Sequence, residues 1–377
     1  MRTSVTLFFS LLVGSLLVNT APSFADEWTQ FRGGPEQRGV AEALTGDLQP
    51  AWTFEIEYGV EATAAIANGM AYVAGLDGKL YALGLTDGKP VWTYEAGEDE
   101  IKSSPLLHDG TLYFGDEYGK LHAIDAKTGE KRWQIGVDSS ITSSPNISPD
   151  GSCLVFGSYD AFIYCVNPKD GEIRWKVETE GYVHGTPAIV DGRVASSGCD
   201  GYLRLLEVKD GSVASSQPVG GYVAASPAAM DGNVYFGTFE NQVLAVNAKS
   251  GEVLWEYASD RSFAFYSSPA VTDDLLIVGG RDKRVHALNR ETGEMIWQRS
   301  FRAKVDSSPL VSGDRVYVAD QSGVLAALSL KDGKDLWRFE TGESFTASPA
   351  IADGWMVIST DSGIVYGFQG TQKGDKP

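Results

Sequence analysis

The chain repeats itself about every 40 residues, and this constrains its fold more than any other feature. The clearest copies read A-x-[DN]-x-x-x-G-x-x-x-W. They are Ala123, Asp125, Gly129, Trp133; then Ala245, Asn247, Gly251, Trp255; then Ala287, Asn289, Gly293, Trp297. Looser copies end at Trp92, Trp175 and Trp337, and a degraded copy carries Ser215 in the Trp slot. The slots fall at 52, 92, 133, 175, 215, 255, 297 and 337. A Ser-Pro or Thr-Pro pair, from Ser104-Pro105 to Ser348-Pro349, opens a short apolar strand in seven of the units. Turns such as Asp109-Gly110 follow, then a β-rich run such as Thr111–Gly115, the strand with the motif Ala, and the Trp strand. Four short antiparallel strands per repeat, set around an axis, predict an all-β, eight-bladed β-propeller.

The two ends of the repeat complement each other. The first Trp strand, around Ala51–Phe54, has no three strands before it, and the last three-strand set, residues 345–369, has no Trp strand after it. The N-terminal strand is therefore expected to complete the last blade, which leaves no open sheet edge. The expected organisation is a leader over 1–25, a lead segment over 26–49, one ring over 50–370 and a polar tail over 371–377.

The leader reading rests on Arg2, an apolar run from Val5 to Val18, and Ser23-Phe24-Ala25, which places small residues where a signal peptidase reads. Cleavage after Ala25 predicts an exported, soluble chain, periplasmic or extracellular, with no transmembrane segment. The new first residue, Asp26, is not a Cys, so no lipid anchor is expected. The net charge of −19 argues against nucleic acid and anionic membrane as partners. A monomer is expected.

The repeat resembles the docking motif of the PQQ-like β-propeller family, and most closely its non-enzymatic BamB-like branch of outer-membrane assembly scaffolds. Trp28-Thr-Gln-Phe-Arg-Gly-Gly is also similar to the opening of many exported bacterial members. The resemblance implies a protein or peptide partner in the cell envelope and no cofactor. BamB-like members carry an N-terminal lipidated Cys, which this chain lacks. The family's alcohol dehydrogenases imply the alternative, PQQ with calcium in the channel mouth. They are longer, use an adjacent Cys-Cys pair over the quinone and often add a C-x-x-C-H haem motif. Neither motif occurs here, and no position can be assigned their calcium ligands or base, so no catalytic residue is expected.

Two surfaces are candidates for binding. The residue three before each Pro slot should ring the central channel mouth: Glu61, Lys102, Thr142, His184, Ala224, Tyr266, Asp306 and Thr346. This slot varies while its neighbours repeat, as a site on a symmetric scaffold would. Glu61, Lys102, His184, Tyr266 and Asp306 are the candidates for a small ligand or cofactor; solvated loops around a water-filled channel are the alternative. The loops leading into these strands are acidic and aromatic, and Tyr58, Tyr182, Tyr222, Phe263, Phe265 and Phe345 are expected to form a face for a partner. Acids such as Asp77, Asp160, Asp200 and Asp282 fall at hairpin turns and are read as turn chemistry, with no metal site. His122 and His286 share one slot and are read as blade packing. Cys153 and Cys165 flank one hairpin, which allows a cross-strand disulfide, but two buried free thiols are expected.

Overall fold

A computed structural model describes residues 27–371. The leader, Asp26 and residues 372–377 lie outside the described residues. Eight antiparallel four-stranded sheets follow one another, each running outward from a short innermost strand. Blade 1 spans 65–95, blade 2 106–136, blade 3 146–178, blade 4 188–218, blade 5 228–258, blade 6 270–300 and blade 7 310–340. Blade 8 combines Ala350–Ala352, Trp355–Ser359 and Ile364–Thr371 with an outer strand from the N-terminal side, Thr45–Glu55. That strand pairs antiparallel with Ile364–Thr371, so the ring closes as the two ends of the repeat required. It begins at Thr45, a few residues earlier than expected.

The repeat motif is a docking device. Each Trp of an outer strand donates its indole N–H to a carbonyl of the next blade: Trp92 to Ala126, Trp133 to Pro168, Trp255 to Arg290 and Trp297 to Leu330. Trp337 reaches Leu48 at 2.9 Å and so docks blade 7 on blade 8. At six of the junctions the indole also packs on the motif Gly of the next blade. At Gly333, φ is +68°, and a Cβ would lie 2.5 Å from the Trp297 ring. Gly is therefore required both for its backbone and for the space. Between blades 4 and 5, Ser215 replaces the indole and packs beside Gly251.

A second ring of contacts runs around the axis. The residue before each Pro slot is Thr63, Ser104, Ser144, Thr186, Ser226, Ser268, Ser308 or Ser348. The backbone N–H of each donates to the hydroxyl of the next, at 2.8–3.3 Å, and Ser348 returns to Thr63. Eight bonds thus close a circle, satisfying one buried amide per blade.

The innermost strands are sheet edges, and their remaining amides point into the channel. The lead segment satisfies them. Trp28 pairs with Ile66 in blade 1. Leu107 then donates to Thr29, Ile189 to Pro35, Ala229 to Glu36, Val271 to Arg38 and Val311 to Gly39, all at 2.7–2.9 Å. In blade 3, Ile147 instead donates to the Asn146 side chain, which is held by Gln30 and Pro35. The lead therefore visits blades 1 to 7 in order, and Val40–Ala41 adds a parallel strand to blade 7. It plugs one end of the channel.

Cys153 and Cys165 are joined in a disulfide within blade 3, their Cα atoms 5.5 Å apart. This corrects the expectation of free thiols. Cys153 immediately precedes the strand Leu154–Gly157, and Cys165 lies on the adjacent strand Phe162–Val166; Cys199 is the free cysteine among the described residues. The turn acids act as read: Asp160 caps the Phe162 amide and holds the Tyr164 hydroxyl, and Asp282 holds His286. Buried His122 bonds Asp116 at 2.8 Å.

Candidate binding site at the channel mouth

All eight residues of the variable slot line one axial cavity of about 130 Å³, together with the eight hydroxyl residues and Phe31 of the plug. The geometry follows from the repeat. The slot lies two residues before the hydroxyl ring, at the end of the channel away from the plug. Each ring hydroxyl accepts a neighbour's amide. Among the described residues none finds a protein acceptor for its own hydrogen, so eight O–H donors remain for the cavity. At ~30 Å³ per water, the volume matches about four waters or one small polar molecule.

The five candidate residues come together, but they are not equally available. Asp306 is buried and receives two bonds from Arg281, at 3.0 Å each, and one from Gln321. It is a locked ion pair. Arg281 also lies over the Tyr266 ring at 4.3 Å and near Phe239. His184 sits between two phenols, with Tyr159 at Nδ1, 2.7 Å away, and Tyr266 at Nε2, 3.2 Å away. A neutral imidazole satisfies both, donating at one nitrogen and accepting at the other. Burial pushes the His184 pKa down, and Lys102 adds to this. Lys102 pairs with Glu100 at 2.8 Å. Glu61 stands open to the lumen. Desolvation by its surroundings raises its carboxyl above the usual range, against the pull of Lys102.

The His184 environment gives a pH prediction. The folded state binds its proton less readily than the unfolded chain, whose imidazole titrates near 6.5. Stability should therefore fall as pH drops through about 6.5, because the unfolded state takes up the proton first. His184→Gln, which keeps both donor and acceptor, is expected to remove that decline in chemical denaturation between about pH 7 and pH 5. An unchanged pH profile would contradict the assignment.

Sequence reasoning missed Tyr159, Phe239, Arg281 and Gln321, which build the second tier of the mouth. All four occupy one repeat slot, six residues before the motif Ala position, with Leu76, Glu117, Cys199 and Asp361. In every blade the amide of this slot bonds the loop entering an innermost strand, as in Phe239 to Tyr222 and Arg281 to Ala264. The variability of that slot was readable one position away from the turn acids.

The expected interface divides. Tyr58 is 79% exposed and Tyr222 62%, and Tyr182 and Phe263 are also exposed. Tyr182 stacks on Tyr159, ring centroids 4.9 Å apart. Phe265 and Phe345, by contrast, are buried at 1% and 0%. They point from the loop into the blade cores, Phe265 against His286 and Tyr257, and are not interface residues. Tyr118, 67% exposed and on the same face, joins the surface aromatics instead. A second apolar set, Leu254 and Ile296 among it, lies on the outer strands.

A quinone cofactor with calcium does not fit these residues. Cys153 and Cys165 lie at the strand ends remote from the mouth. Among the described residues no three His, Cys, Asp or Glu side chains converge as a metal site. The axial cavity is smaller than the ~300–1,000 Å³ usual for ligands of that size.

Comparison with known proteins places the ring among propellers of both kinds. The family described as "Beta-alanine-activating enzyme, beta-propeller" matches residues 110–366. The family described as "Outer membrane protein assembly factor BamB" matches residues 37–149. Quinohemoprotein alcohol dehydrogenase ADH-IIG of Pseudomonas putida is 31% identical over 126 residues, 29% of this chain and 18% of the relative. The outer membrane protein assembly factor BamB of Moranella endobia is 35% identical over 74 residues, 20% of this chain and 18% of the relative. The chain thus matches about a fifth of the length of these curated relatives. The crystal structure of BamB from Moraxella catarrhalis superposes with a TM-score of 0.73 at 21% identity, covering 85% of this chain and 99% of that one. Quinohemoprotein alcohol dehydrogenase from Comamonas testosteroni gives 0.78 at 13% identity, covering 94% and 82%.

Proposed function

We propose, for a chain that belongs to the PQQ-like β-propeller family, an exported and non-catalytic role: it docks a protein or peptide partner in the cell envelope. The observation that carries this reading is the mouth face, where Tyr58, Tyr118, Tyr182, Tyr222 and Phe263 stand exposed among acidic loops. Aromatic anchors inside a polar rim are the composition of a binding surface. At the mouth Asp306 is spent on Arg281, and His184 is held by two phenols. The Cys153–Cys165 disulfide agrees with an oxidising compartment. The BamB relatives, assembly factors by name, support a partner protein.

Replacing Tyr182, Tyr222 and Phe263 together by Ala should abolish co-purification of the envelope partner. The thermal midpoint should barely move, since exposed side chains contribute within about 0.5 kcal/mol each. Undiminished co-purification contradicts the reading. Turnover of an alcohol in the presence of PQQ and Ca²⁺ would support the dehydrogenase alternative instead.

A further inference from the structure

The axial cavity at the mouth holds one charge that the ring itself does not satisfy. Of its two acids, Asp306 is spent on Arg281 and Gln321. Glu61 lines the same cavity and is exposed, and among the described residues its carboxylate makes neither a hydrogen bond nor a salt bridge. The charges around it do not balance. Glu100, Glu117 and Asp361 face it with three carboxylates, and Lys102 with one ammonium that already pairs with Glu100 at 2.8 Å.

The hydroxyl ring lies next to this carboxylate. Its eight residues line the cavity and are 3–6% exposed. Each ring oxygen accepts one amide and keeps a second lone pair. An open carboxylate beside oxygen acceptors suits a cation that donates hydrogen bonds. A lysine ammonium is compact and carries three such donors. The cavity, about 130 Å³, has room for that head group and its last methylenes.

The loops that carry Glu61 and Lys102 also wall a wider groove of about 750 Å³. Tyr58, Glu95 and Glu98 line it, and Tyr58 is 79% exposed. The carboxylates of Glu95 and Glu98 are exposed and unpaired among the described residues. Lys79, on the same wall, lies 3.8 Å from Asp77. An aromatic face beside unpaired acids attracts cations.

We propose that the segment docked at the mouth is basic: one lysine side chain enters the axial cavity, its ammonium on Glu61 and the ring oxygens, and neighbouring cationic residues lie against Tyr58, Glu95 and Glu98. This rests on the docking reading above and adds the chemistry of the partner.

Calorimetric titration of the full mature chain tests it. The probe is acetyl-Gly-Lys-Gly-Lys-Gly-amide, set against the same peptide with both lysines Nε-acetylated and against n-butylamine. The lysine peptide should bind saturably, and acetylation should weaken it at least about tenfold, because it removes the charge. Glu61→Gln should weaken it about tenfold at an unchanged thermal midpoint. Glu252→Gln removes the same charge from the turn between the third and fourth strands of blade 5, at the far end of the ring, and should leave affinity within about twofold. Equal losses in the two variants would mark general attraction to an acidic protein and overturn the proposal. So would equal binding of the acetylated peptide, n-butylamine binding as tightly as the peptide, or no saturable heat from any probe. Co-purification separates this proposal from the docking reading. Loss of the partner when Tyr182, Tyr222 and Phe263 become Ala, but not in a Glu61→Gln, Glu98→Gln double variant, overturns the lysine and leaves the docking face standing. Loss in both supports the proposal, and retention in the triple variant overturns the docking itself.

Discussion

Trp297→Ala should destabilise the ring by about 3–5 kcal/mol, the range for removing a buried large aromatic. The indole is 8% exposed, packs on Gly333 across the junction of blades 6 and 7, and bonds the Leu330 carbonyl at 3.0 Å. Its loss opens a cavity between blades and orphans that carbonyl. Because each blade contacts only its neighbours, the damage should first appear at one junction. Hydrogen exchange is expected to accelerate on both sides of that junction before the rest of the ring responds. Ser215→Ala, at the junction that already lacks its Trp, should cost less than about 1 kcal/mol. Urea unfolding of the two variants checks the contrast; equal midpoints would contradict the docking role.

Removing residues 26–41 should be the more damaging change. Without them, the amides of Ile66, Leu107, Ile189, Ala229, Val271 and Val311 lose their acceptors, and Trp28 leaves the core. Leaving one buried amide unsatisfied costs ~1–3 kcal/mol, although water entering the opened channel recovers part of it. The blade 8 strand from Thr45 onward remains, so the ring can still close. The expected outcome is a folded chain whose thermal midpoint falls by more than about 10 °C, at ~2–4 °C per kcal/mol for a large domain. A midpoint within ~2 °C of the intact chain would show the lead to be dispensable.

These two changes mark where the fold could and could not be read from residues. The Trp slots were legible because one physical requirement recurs at six of the junctions: an indole needs a Cβ-free partner, so Gly and Trp keep fixed spacing. Blade count and ring closure follow from that spacing. The lead segment has no such periodicity. Its order comes from N–H donors placed by seven different blades and from side-chain contacts with sequence separations above 100 at Gln30 and Arg32, and nothing local in Gln-Phe-Arg-Gly-Gly announces them. The mouth ring was legible as a variable slot, but the locking of Asp306 was not. It depends on Arg281 and Gln321, from hairpins of two neighbouring repeats. Phe265 and Phe345 were misjudged because a loop aromatic can face either way. Phe263 points out and Phe265 in, two residues apart in a loop between the strands Val253–Ala258 and Ala270–Val271, where no regular periodicity fixes which way a side chain faces.

A photo-crosslinking residue placed at Tyr222, and in a parallel strain at Leu254, tests the central claim most directly. Both side chains are exposed, one beside the mouth and the other on the outer strand of blade 5. Irradiation of intact cells should join position 222, and not position 254, to one discrete envelope protein, and Ala at Tyr182 and Phe263 should erase the adduct. No adduct at 222, or equal adducts at both positions, would contradict a docking face at the mouth.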